Sequence, residues 1–310
     1  MTDAPLIGVA DDLEAPPRPA DTAAVVVTWF PDDKLASRIA AVARQVNRVL
    51  VVDNATTGRG RDLLLDLQRR GKIELLQNTE NLGVATALNQ GARAAIGRGY
   101  RWLLTMDQDT LVSSACMGGL IQTFLACPFR QRLAVVAANY VDPSIEKLFA
   151  RPLRPELPYI EQPTAITSGS LLRLSAFAQT GTFQDNFFID FVDNEYCLRL
   201  RSRGWRVAYS TRPLMDHSIG HPRAHYFLGF RFATSNHPPF RRYYMTRNRV
   251  ISDCRHWHGQ PHAVITDIGR FAGEMLFLLL FETDKYRKIR AIGRGAWHGM
   301  TGQMGKLHTP

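Results

Sequence analysis

Four apolar runs, residues 23–28, 49–53, 73–76 and 101–106, alternate with helical patterns and restrict the fold more than any other feature. The first is Ala-Ala-Val-Val-Val-Thr, a continuous apolar run of the kind buried on both faces of a sheet. Pro31-Asp32-Asp33 then opens a helix carrying Leu35, Ile39, Val42 and Val46. A polar glycine turn follows the second run and leads to a helix with Leu63, Leu64, Leu65 and Leu67, and the alanine-rich segment 84–96 reads as a close-packing helix. Strands alternating with helices predict an α/β fold: a mostly parallel central sheet with flanking helices. In such sheets ligands bind beyond the carboxyl ends of the strands. Thr28, Asp53 and the pair Asp107/Asp109 all fall at those ends.

The fourth run ends Leu-Leu-Thr-Met-Asp-Gln-Asp, delivering two carboxylates one residue apart. Side chains at i and i+2 share a face if the strand continues, and converge if it opens into a loop. Such a pair can hold a hard divalent cation, although paired acids at a strand end also serve as turn formers. Asp53 likewise has two readings, an acceptor for a ligand N–H or hydroxyl, or an Asx-turn or helix cap. Asn81 and Gly83 precede the alanine-rich helix, where glycine permits close backbone approach and the helix N-terminus favours anions.

A proline-bearing stretch, 143–163, separates this half from Thr167-Ser168-Gly169 and from an aromatic run that turns helical around Asp193, with Tyr196, Leu198 and Leu200 facing inward. Four cysteines are scattered without a CxxC pair, which argues against structural zinc and a disulfide framework and suits a reducing, cytoplasmic setting. The N-terminal residues 1–21 lack a basic and an apolar signal region and read as a loose tail. The formal charge of +10 is uneven: from Arg199 onward 19 Lys and Arg face 6 Asp and Glu, a net +13. That imbalance implies an anionic partner, whether nucleic acid, membrane or phosphorylated substrate.

In order along the chain, Val27-Thr28-Trp29-Phe30, Val52-Asp53-Asn54, Asn81-Leu82-Gly83, Asp107-Gln108-Asp109, Thr167-Ser168-Gly169, the 187–195 segment, His217 and Tyr243-Tyr244-Met245-Thr246-Arg247-Asn248 resemble the family 2 glycosyltransferases with a Rossmann-like GT-A fold. The likeness is greatest to the bacterial branch that uses dTDP-L-rhamnose. It implies a catalytic domain over 22–215 and a helical, basic C-terminal region over 216–310 that completes the site. It implies that Thr28 and Asp53 hold the base and ribose of a dTDP-sugar donor, with Asn81 and Gly83 nearby. Asp107 and Asp109 would bind Mg²⁺ or Mn²⁺ on the diphosphate, with His217 completing the metal shell; Asp216 and His221 are alternative ligands. Arg247 would fork onto the diphosphate, while Arg241, Arg242 and Arg249 read as surface or phosphate-steering residues.

An acceptor hydroxyl must lose its proton as it attacks, which requires a carboxylate opposite the leaving group. The family's acidic pair appears here as Val192-Asp193, leaving Asp193 as the matching general base and Asp190 as the alternative. The acceptor implied is a saccharide or a polyprenyl-diphosphate-linked glycan, and the reaction an inverting transfer. A sugar-nucleotide pyrophosphorylase would need a glycine-rich, lysine-bearing loop after the first strand, where Thr28-Trp29-Phe30-Pro31 stands instead. Nucleic-acid-binding signatures are absent from the sequence, so a nucleic-acid partner is not expected.

The run 275–281 is apolar but only seven residues long and flanked by Glu274 and Glu282, too short to span a bilayer. Basic residues interleaved with Tyr286, Ile289, Ile292 and Trp297 follow it. This pattern suits either an in-plane membrane contact or a helix packed on the catalytic domain or on a second subunit.

Overall fold

The computed structural model describes residues 13–142, 147–152, 156–216, 223–227 and 230–307. The first twelve residues of the tail, His217 and His221 therefore lie outside the described residues.

The chain builds β1 (Thr22–Thr28), α1 (Leu35–Ala43), β2 (Arg48–Asn54), α2 (Gly58–Arg69), β3 (Glu74–Asn78), α3 (Gly83–Gly97) and β4 (Trp102–Asp107). Next come β5 (Leu111–Val112), α4 (Cys116–Ala126), β6 (Leu133–Asp142), β7 (Lys147–Leu148), β8 (Tyr159–Glu161), β9 (Ser170–Arg173), α5 (Leu174–Thr180), α6 (Val192–Ser202) and β10 (Arg206–Asp216). A hairpin, β11 (Arg223–Phe227) and β12 (Phe230–Thr234), precedes α7 (Pro239–His256), α8 (Pro261–Phe281) and α9 (Lys285–Thr301).

The strands of one sheet run β3-β2-β1-β4-β9-β6-β10-β5, with β7 beside β6 and β8 beside β10. The first four are parallel, as the alternating pattern requires. Beyond them the sheet is mixed, because β9 runs antiparallel to both β4 and β6. Period-two alternation along β1 divides the core between two faces. Ala23, Val25 and Val27 pack with the alanines of α3, and Ala24 and Val26 with Leu35, Ile39 and Val42 of α1. Helix α1 begins at Leu35, four residues after Pro31, and ends before Val46. The proline-bearing stretch contributes β8, which runs antiparallel to β10.

The C-terminal helices close over the sheet's carboxyl end. Helix α9 lies tightly on α7: a Cβ on Gly295 would sit 2.5 Å from the Tyr243 carbonyl, and one on Gly299 2.8 Å from Val250 Cβ. The Tyr243 hydroxyl meets His298 Nδ1 at 2.6 Å across this seam. Among the described residues no helix is long and apolar enough to cross a membrane.

Candidate active site

A cavity of about 820 Å³ opens over the strand ends, walled by β1, β4, the 162–167 segment, the 188–191 loop, the first turn of α6, α7 and α8. Asp107, Asp109 and Asp193 all line it, although more than eighty residues separate Asp107 from Asp193 in sequence.

Asp107 is the last residue of β4, and Asp109 follows on the exposed turn. That turn is braced by Gln108, whose side-chain carbonyl accepts from the Trp29 amide at 2.8 Å and whose amide donates to the Trp29 carbonyl at 3.1 Å. Arg38 adds a bond to the Gln108 carbonyl at 3.2 Å. The Asp107 amide donates to Ser168 Oγ at 3.1 Å, and the Thr167 amide donates to Asp193 Oδ2 at 3.0 Å. Thr167-Ser168-Gly169 thus ties the Asp107 end of β4 to Asp193 through a short hydrogen-bonded path.

Asp193 opens α6, with the Asn194 amide donating to its Oδ1 at 2.9 Å. Burial raises its carboxyl above the usual range, an effect offset in part by these amide donors and reinforced by Asp190. Burial, then Asp109, then Asp193, push Asp107 up to about 7, and the Arg241 guanidinium pulls against them. Three carboxylates facing one cavity create a negative potential that a divalent cation would relieve, and the oxygen donors match a hard ion. The residues fit a metal in that sense. Among the described residues, however, no group of three or more His, Cys, Asp or Glu is gathered for metal binding, and His217 lies outside them.

The loop bearing Asp190 and leading to Asp193 is strained. Phe188, Asp190 and Phe191 have φ of 65°, 64° and 62°, a region that side chains other than glycine seldom adopt. Helix α7 holds it there. Asn248 Nδ2 donates to the carbonyls of Phe187, Ile189 and Asp190 at 3.0, 2.9 and 2.8 Å. Arg247 Nη2 donates to the carbonyls of Phe187 and Asn186 at 3.1 and 3.2 Å, and Nη1 to Gly305 at 2.6 Å. The expected placement of Arg247 on the diphosphate is therefore corrected: its donors are spent on backbone carbonyls and on Asn248 Oδ1, and it is buried behind the cavity wall. Arg241, six residues earlier on α7, does face the cavity, paired with Asp190 beside the acids. That pairing also occupies Asp190, while Asp193 keeps only amide and hydroxyl donors. Glu195 is buried against Arg199 and is no rival base.

Two further expectations change. Asp53 is 1% exposed, accepting from Thr28 Oγ1 at 2.8 Å and from the amide and hydroxyl of Thr56 at 2.9 and 2.5 Å. Of its two readings the structure displays the turn-forming one; Thr28 and the neighbouring Asn54 line the cavity in its place. Asn81 and Gly83 do reach the cavity, but the amide of Val84 at the start of α3 is taken by the Phe188 carbonyl at 2.7 Å, so the close approach is made by protein backbone. Gly83 has φ 86°, and an added Cβ would lie 2.4 Å from that carbonyl. Gly83→Ala should therefore lower stability by at least about 2 kcal/mol and slow turnover by displacing the acid-bearing loop. Denaturant unfolding alongside an activity assay checks both effects.

Arg242 and Arg249 are also not surface residues. Arg242 is buried with Glu282 at 2.7 Å, and Arg249 pairs with Asp267 at 2.7 Å. The α8 wall, bearing Asp267, Arg270 and Glu274, was not expected from sequence. Its signal was present: polar residues at spacings of three and four, opposite Ile265, Ile268 and Leu276.

Comparison with known proteins agrees with this geometry. A bacterial relative, the "dTDP-rhamnosyl transferase RfbF" of Shigella flexneri, is 29% identical over 242 residues, covering 74% of this chain and 78% of that protein. Mannosyltransferase PcManGT from Pyrobaculum calidifontis, solved with GDP-Man and Mn²⁺, superposes with a TM-score of 0.56 at 14% identity, covering 95% of this chain and 90% of the other. S. aureus TarS 1-349 in complex with UDP-GlcNAc gives 0.56 at 14% identity, with 88% and 80% covered. At these identities the structural likeness establishes the GT-A fold. The model described as "Glycosyl transferase family 2" matches residues 24–181, from the first strand past the paired acids and Thr167-Ser168-Gly169. This chain is a glycosyltransferase of family 2.

Proposed function

We propose that the enzyme transfers L-rhamnose from dTDP-L-rhamnose, with inversion, to a saccharide or polyprenyl-diphosphate-linked acceptor. The observation that carries the catalytic assignment is the path Asp107–Ser168–Thr167–Asp193, which sets an acid at the helix start within the same cavity as the strand-end pair. The donor assignment rests on the likeness to the Shigella flexneri transferase.

In this reading Thr28 and Asn54 border the nucleoside end of the cavity, with Asp53 holding the Thr28 hydroxyl from behind. Asp107 and Asp109 would hold Mg²⁺ or Mn²⁺, supplying charge neutralisation at the leaving diphosphate. Arg241 turns from Asp190 to the diphosphate as negative charge develops there. Asp193 accepts the acceptor hydroxyl's proton, and its raised affinity for protons brings it nearer to the operating range of a general base. The four unbridged cysteines, three of them buried, support a cytoplasmic setting.

A thermal-shift panel of dTDP, UDP and GDP, each with and without Mn²⁺, tests the donor and the metal together. The expected result is stabilisation by dTDP above the other two, increased by Mn²⁺. The metal-dependent part should vanish in Asp109→Ala. Equal shifts with all three nucleotides would remove the dTDP assignment.

A further inference from the structure

Helix α8 has two unlike faces. Asp267, Arg270 and Glu274 face the reaction cavity. On the opposite face, at helical spacing, Ile265, Ile268, Leu276 and Leu279 are 58%, 49%, 56% and 50% exposed. Only Val264 and Leu278 of this 21-residue helix are buried. The next helix, α9, turns Gly295 and Gly299 to α7 and leaves Tyr286, Ile289 and Trp297 at 77%, 47% and 61% exposure on the other side. An elbow between the two helices is set by buried Glu282, which accepts from Arg242 at 2.7 Å and Lys288 at 2.8 Å.

A water-soluble surface rarely displays so many large apolar side chains on adjacent helices. Charge identifies what covers them. From Lys285 to the last residue the chain has six Lys and Arg and no Asp or Glu, and Arg287, Arg290 and Arg294 flank the apolar residues. Two copies meeting through this face would oppose like charges, whereas an anionic bilayer complements both the charge and the apolar stripe.

We infer that α8 and α9 dock in the plane of an anionic lipid surface. The polar face of α8 then walls the cavity while its apolar back rests at the lipid interface. Resting on the transferase reading above, this geometry selects among its acceptors an amphiphile, with a saccharide head in the cavity and a lipid tail in the bilayer.

Flotation of the full-length protein with phosphatidylglycerol-containing vesicles, against phosphatidylcholine vesicles alone, tests the inference. The protein should float with the anionic vesicles and be released by high salt. Leu276→Glu/Leu279→Glu and Arg287→Glu/Arg290→Glu should each weaken binding by about tenfold or more, while the dTDP thermal shift stays at the wild-type value. Wild-type protein remaining unbound, or variants floating as well as wild type, overturns the idea. So does a wild-type dimer that the leucine pair converts to monomer without any vesicle binding. Flotation uses no sugar donor, so an incorrect donor assignment leaves its result unchanged, and a failed flotation leaves the nucleotide panel unchanged.

Discussion

Asp193→Asn is expected to lower the transfer rate by about 10²–10⁴-fold, the range a positioned general base contributes, with dTDP binding close to wild type. Asparagine preserves the shape, and its side-chain oxygen can still accept from the Thr167 and Asn194 amides that now hold the carboxylate. What it removes is the ability to take a proton. Wild-type activity should fall on the acid side as Asp193 becomes protonated, at a pH above the ordinary carboxylate range because burial raises its affinity for protons. Initial rates across pH, paired with nucleotide titration of the variant, separate lost chemistry from lost binding. Normal turnover by Asp193→Asn would move the base elsewhere, and Asp190 is the poorer candidate because Arg241 occupies it.

The second large effect distinguishes two arginines six residues apart on α7. Arg247→Ala should destabilise the fold by about 3–5 kcal/mol, since it leaves buried carbonyls of Asn186, Phe187 and Gly305 without their charged donor. Catalysis would fall as a consequence, because the Asn186 and Phe187 carbonyls lead directly into the strained loop ahead of Asp193. Arg241→Ala should behave oppositely. Its side chain is 29% exposed, so stability changes little, while transfer drops by about 10²–10³-fold if it stabilises the leaving diphosphate. Thermal unfolding and steady-state kinetics on the two variants give the contrast directly. A stable, inactive Arg247→Ala beside a fully active Arg241→Ala would restore the diphosphate role to Arg247.

Much of the fold was legible in the residues. Apolar runs at 23–28, 49–53 and 101–106 became buried strands because every other side chain on them meets a different helical layer. The alanine-rich face of α3 and the acids at the end of β4 were equally readable, since both depend on local spacing. The antiparallel insertion of β9 was not, because a four-residue strand has too little pattern to declare its direction.

The site divides in the same way. Asp107 and Asp109 could be picked out from their spacing, and Asp193 from its resemblance to the family's acidic pair; all three share one cavity. The roles of Asp53, Arg247 and Arg241 could not, because each depends on which hydrogen-bond partners arrive from distant segments. Asp53 meets Thr28 across the β1–β2 pairing, and Arg247 meets carbonyls about sixty residues upstream. Arg241 and Arg247 have the same chemistry and sit on the same helix. The side of α7 that each occupies, one toward the cavity and one toward the loop, is decided by tertiary packing, where local spacing has no information.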